Sequence, residues 1–152
     1  GAYILAGGSS EPEVILMATG SEVALMLEAH EMLAKQGKKV RSVSFPCMEL
    51  FKQQSLEYIE SVLPPSCRAR VSIEAATKDM WGCFIGLDGE HVGMITFGSS
   101  GPAKHVLKQL GFTVDAVVEA ANRVLAKQPR TMDSEANVLR AHKKRKTGSR
   151  EF

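Results

Sequence analysis

Few side chains in this 152-residue sequence are of a type and spacing that could do chemistry. Glu74 lies just past a strand predicted over 69–73. A carboxylate just past a strand end can act as a base, bridge loops or meet a partner chain. Its sequence neighbourhood supplies no second catalytic carboxylate and no nucleophile partner. Trp81 and Phe84, a few residues on, read as an apolar loop, either a satellite of the core or a subunit contact. Glu74, Trp81 and Phe84, with the loop at 76–84, are therefore candidates for interdomain or subunit contacts. His30, His91, His105 and His142 show no metal-ligand spacing. Cys47, Cys67 and Cys83 form no CxxC, which favours three inert buried thiols over a disulfide framework or a zinc site.

Two small-residue loops lead into expected helices and make candidate anion sites. Thr19-Gly20-Ser21-Glu22 follows the apolar run Val14–Ala18. Free amides at such a turn favour an anion, and the crevice beyond parallel strand ends is where sheets of this kind bind ligands. Against this, Gly20 stands without a GxGxxG frame, and Glu22 would repel a phosphate. A plain helix cap by Ser21 is the alternative. Phe97-Gly98-Ser99-Ser100-Gly101-Pro102 offers the same choice: Ser99 and Ser100 either cradle an anion or belong to a tight connection that needs its glycines. No serine lies in a GxSxG elbow.

The elements that must position these residues alternate between strand and helix. Tyr3–Ala6 predicts a short edge strand, and Val14–Ala18, with no polar interruption, a strand covered on both faces. Ser21 caps a helix carrying Val23, Met26, Leu27, His30 and Leu33 at helical spacing, which Gly37 closes. Strands follow at 40–45, 69–73 and 91–96, with one broken helix over 48–54 and 56–62 stopped by Pro64-Pro65. Pro102 opens a helix that Gly111 closes, and Thr113 caps a last one through Leu125. The pattern predicts an α/β sandwich with a mostly parallel sheet.

Charge divides the chain in two. Residues 1–126 carry 11 Lys/Arg against 14 Asp/Glu, and residues 127–152 carry 8 against 3. The boundary coincides with the loss of apolar periodicity, so 1–126 is expected to be one α/β domain and 127–152 a basic, flexible tail with a short helix near 134–141. The run His142-Lys143-Lys144-Arg145-Lys146 can contact phosphates, but a solvated terminus is the favoured reading over a nucleic-acid partner. No apolar run approaches the roughly 20 residues of a membrane span, and the start lacks a signal-peptide pattern. A cytoplasmic protein with no membrane partner is expected.

From 1 to about 125 the sequence resembles the C-terminal domain of transketolases of the bacterial, yeast and plant type. The resemblance rests on Val14-Ile15-Leu16-Met17-Ala18-Thr19-Gly20-Ser21-Glu22, Val40-Arg41-Ser42-Val43-Ser44-Phe45-Pro46 and Glu49-Leu50-Phe51. It continues in Arg70-Val71-Ser72-Ile73-Glu74-Ala75, Trp81, Gly86-Leu87-Asp88-Gly89, Phe97-Gly98-Ser99-Ser100-Gly101-Pro102 and Gly111-Phe112-Thr113-Val114. Met48 stands where that family commonly has an aromatic residue and Phe84 where it commonly has a tyrosine, and the basic tail has no counterpart in it.

The resemblance implies a three-layer sandwich around a five-stranded mixed sheet with one antiparallel strand, for which Tyr3–Ala6 is the candidate. It implies a parent enzyme, a homodimer, that uses thiamine diphosphate and a divalent metal (Mg or Ca) to move two-carbon ketol units between sugar phosphates. That family builds its cofactor site from its first two domains, so no catalytic, cofactor-binding or metal-binding residue carries over to this chain. The expected partners are the remaining transketolase domains and a second subunit, with a supporting or regulatory role for this domain and no activity alone. Two other readings stand beside it: a stand-alone binding module for a small anion or nucleotide, and a tail-driven nucleic-acid binder.

Overall fold

A computed structural model describes residues 1–8 and 10–127; the basic segment beyond, with the helix expected near 134–141, lies outside the described residues. β2 (Val14–Ala18) is buried at every position and forms the centre of the sheet. Its alternate side chains serve two separate cores: Val14, Leu16 and Ala18 face one, Ile15 and Met17 the other. An unbroken apolar run is what a strand with helices on both faces requires. Each such large side chain contributes about 1.5–3 kcal/mol on burial.

Around it lie β3 (Val40–Ser44), β4 (Arg70–Ile73), β5 (Glu90–Val92) and β1 (Tyr3–Ala6), in the order β1-β3-β2-β4-β5. β3, β2, β4 and β5 are mutually parallel, with Leu16 beside Ser42 on one side and Val71 on the other. β1 alone is antiparallel, pairing Tyr3 with Ser44 and shifting register between Ile4 and Ala6. The expected three-layer sandwich, with its one antiparallel edge strand, is the observed fold. Gly7 leaves β1 at φ 72°, where a side chain would collide with the Val40 carbonyl of β3.

The first face carries α1 (Glu22–Lys35) and α6 (Val114–Lys127), and α5 (Ala103–Gln109) sends Leu107 into the same core. α1 buries Met26, Ala29 and Leu33, one stripe at helical spacing, and ends at Gly37 with φ 79°. Thr113 caps α6 as expected, its hydroxyl accepting from the Ala116 amide at 3.2 Å. The second face carries α2 (Met48–Lys52), α3 (Leu56–Val62) and α4 (Gly82–Ile85). Here α2 and α3 are two helices and not one broken one, because Ser55 restarts the chain as an N-cap that accepts from Tyr58 N–H.

β3 carries three buried polar residues, Arg41, Ser42 and Ser44, and Arg41 Nε is a buried side-chain atom without a hydrogen-bond partner among the described residues. The Ser42 hydroxyl pairs with Nδ1 of His30 on α1 at 2.9 Å. Burial lowers His30 below its ordinary value, with nearby Glu31 opposing, so the neutral ring is favoured in the fold. Arg41 points to the other face and donates Nη1 to the carbonyls of Ser61 and Val62 at the end of α3. Arg70 of β4 continues the bracket, donating Nη2 to Leu63 and Pro64. Two guanidinium groups thus satisfy carbonyls that the end of α3 leaves open.

Three further expectations need correction. The last strand was expected over 91–96 but ends at Val92. Beyond it the β4 chain turns away at Thr77, and only the Met94 amide still finds a carbonyl there, that of Ala76. Residues 76–84 are not a loop throughout: a 3₁₀ turn at Lys78–Trp81 runs into α4. Of the three cysteines only Cys67 is buried; Cys47 is half-buried and Cys83 exposed. Burial raises the Cys67 thiol above its usual value, partly offset by Arg70.

Candidate functional site at the carboxyl ends of the strands

β2 and β4 are neighbours whose loops leave in opposite directions. β2 leads to α1 on the first face, and β4 leads to the 3₁₀ turn and α4 on the second. A crevice opens where such loops part, beyond the carboxyl ends of the strands. In this chain it holds a cavity of about 230 Å³ lined by Thr19 after β2, Phe45 to Glu49 after β3, and Glu74, Ala76 and Met80 after β4.

Glu74 is fixed within it. Its Oε2 accepts from the Trp81 indole N–H at 2.6 Å, and its amide donates to the Val92 carbonyl, extending the β4–β5 pairing by one residue. Trp81 is wholly buried and packs edge-on against Phe45, with Phe84 beside both rings. Phe45 and Phe51 complete an aromatic cluster beneath the crevice floor. The structure therefore joins Glu74, Trp81 and Phe84, though the two aromatic side chains are buried by this chain's own residues. His91 of β5 bridges β4 and the chain beyond it: one ring nitrogen meets the Ser72 hydroxyl at 2.8 Å and the other the Ala76 carbonyl at 3.0 Å. Sequence reasoning left His91 without a role. Its place on the strand beside Ser72 was the available signal.

The small-residue loops are not brought together. Gly20 and Ser21 follow β2, Ser99 and Ser100 follow β5, and β4 stands between those strands, about 10 Å across. Ser21 does not cap α1: its backbone is already helical and its hydroxyl donates to Glu22 Oε1 at 2.9 Å. Ser99 and Ser100 are exposed. Beyond β5, Ile95 and Phe97 are almost entirely in solvent, 98% and 97% exposed, and Met80, on the 3₁₀ turn after β4, is half-exposed.

As a cofactor site the crevice is a poor fit. Its lining includes the carboxylates of Glu49 and Glu74 and no Lys or Arg, which repels a diphosphate. Among the described residues no three His, Cys, Asp or Glu side chains gather as a metal-ligand set. The crevice lining thus does not suit a diphosphate. Among them, no helix is long and apolar enough to cross a membrane.

Comparison with known proteins agrees with this architecture. The family model for the transketolase-like TK C-terminal domain matches residues 1–113. Transketolase 1 of Vibrio vulnificus is 48% identical over 126 residues, covering 83% of this chain and 19% of its own length. The chloroplastic transketolase of Solanum tuberosum is 50% identical over 126 residues, covering 82% and 17%. The solved transketolase of Leishmania mexicana superposes with a TM-score of 0.78 at 35% identity, over 86% of this chain and 18% of its own. The chain spans about a fifth of the length of these relatives, and it belongs to the transketolase-like C-terminal domain family.

Proposed function

We propose that this chain serves as the C-terminal domain of a thiamine-diphosphate-dependent transketolase, inactive by itself and needed for assembly. The observation that carries this reading is the match of the whole sandwich to one fifth of much longer transketolases. The cofactor, its divalent metal and the sugar-phosphate substrates then belong to the other domains of a homodimeric parent, in the cytoplasm. An acidic crevice without cations is in keeping with that division of labour.

The carboxyl-end edge is the face that docks on the rest of the enzyme. Ile95, Phe97 and Met80 are large apolar side chains left in water, and apolar surface of that kind marks an interaction site. Glu74 and Trp81 act from beneath, holding the 3₁₀ turn that carries Met80.

The test is calorimetric titration of the isolated chain with thiamine diphosphate and Mg²⁺, beside an assay of ketol transfer between sugar phosphates. The reading predicts neither binding nor activity. Saturable cofactor binding, or turnover by the chain alone, would contradict it.

A further inference from the structure

On the second face, α2, α3 and α4 border a second groove, of about 330 Å³. Phe51, Ile59, Leu63 and Phe84 supply its apolar walls, and Lys52 and Arg70 its only charged groups. The Lys52 ammonium stands over the Phe84 ring, 5.4 Å from its centre. Arg70 is more deeply set. Its guanidinium donates to the carbonyls of Cys67, Leu63, Pro64 and Phe84. Those bonds use four of its five N–H groups and leave one on Nη1. Carbonyls satisfy hydrogen bonds but carry no net countercharge, and among the described residues no carboxylate pairs with either cation. A small-molecule site has this make-up: a mostly apolar concavity of a few hundred Å³ with a few polar groups that fix orientation.

We propose that this groove is a binding site for a small monocarboxylate with an aromatic or medium-length aliphatic body. The body lies against Ile59, Leu63 and Phe84, and the carboxylate sits between Lys52 and the free N–H of Arg70. Sugar phosphates suit it badly, since their hydroxyls would face apolar walls without partners. The site is separate from the docking edge and stands whether or not the chain belongs to a larger enzyme.

Exposed Cys83 lies on the lining and supplies a readout. 3-Phenylpropanoate is titrated into the full chain while amide NMR shifts and the rate of Cys83 alkylation by a maleimide are followed. The expected result is saturable shifts at Lys52, Cys83 and Phe84, with a Kd on the order of 1 mM for a ligand of this size, and slowed alkylation. The neutral analogue 3-phenylpropan-1-ol should bind roughly tenfold more weakly. Lys52→Gln, at an exposed position that leaves the core intact, should weaken the carboxylate several-fold and the alcohol hardly at all. Absence of saturable shifts, equal binding of acid and alcohol, or an acid affinity unchanged by Lys52→Gln would each overturn the proposal.

Discussion

The indole N–H of Trp81 donates to Oε2 of Glu74 at 2.6 Å, tying a wholly buried aromatic ring to the end of the sheet. A buried indole needs an acceptor, and a carboxylate at a strand terminus keeps its remaining oxygen open to the crevice. Glu74→Ala should therefore cost about 1–3 kcal/mol by leaving the indole unpaired. Glu74→Gln, which keeps an acceptor, should cost less. Urea unfolding followed by Trp81 fluorescence separates the two; equal losses would show that the bond itself matters little.

Arg70 should matter to stability through the four carbonyls it gathers from the end of α3, the following loop and α4. Arg70→Gln is expected to destabilise by about 2–4 kcal/mol. Arg70→Lys should recover only part, because a point ammonium cannot span the same set of acceptors. Full recovery by lysine in chemical denaturation would contradict the role given to the planar fork.

Acid should loosen the attachment of α6 to β5. Burial raises the Glu90 carboxyl, but hydrogen bonds and charge from Lys127 and Arg123 outweigh it and hold the group below its ordinary value of 4.5. A lowered folded value means that the contribution is complete above the unfolded value and is lost as pH falls through the folded one. Both cations are half exposed, so screening limits the network to about 1 kcal/mol. Stability measured from pH 7 down to pH 3 should fall less steeply in Glu90→Gln than in the parent chain. Identical slopes would remove Glu90 from the account.

Ile95 and Phe97 make no demand on the isolated domain. A double change to serine should leave its stability within about 0.5 kcal/mol, yet weaken docking to the rest of the enzyme by tenfold or more. Size-exclusion and activity measurements on the parent enzyme carrying the same two changes check this. An intact, fully active assembly would place the docking face elsewhere.

Much of the fold is legible in the sequence because its signals are local. The unbroken run at Val14–Ala18, Gly37 after α1 and Thr113 before α6 each announce an element through short-range physics. The site is less legible, because its partnerships cross the chain. Nothing in the spacing of Glu74 and Trp81 says that they hydrogen-bond, nor that His91 reaches both Ser72 and Ala76. The Ser21 hydroxyl misled even though its partner is local: Glu22, one residue on, takes the bond in place of a helix amide. The short β5 was over-read because apolar residues after Val92 look like strand, whereas Ile95 is left in solvent.

The most direct test of the central claim is the intact mass of the protein carrying this sequence in its native source, read beside ketol transfer in the same preparation. The account predicts a chain several times longer than 152 residues, active when supplied with thiamine diphosphate and a divalent metal. A native chain of only this length, purified with no partner subunit and without activity, would contradict it.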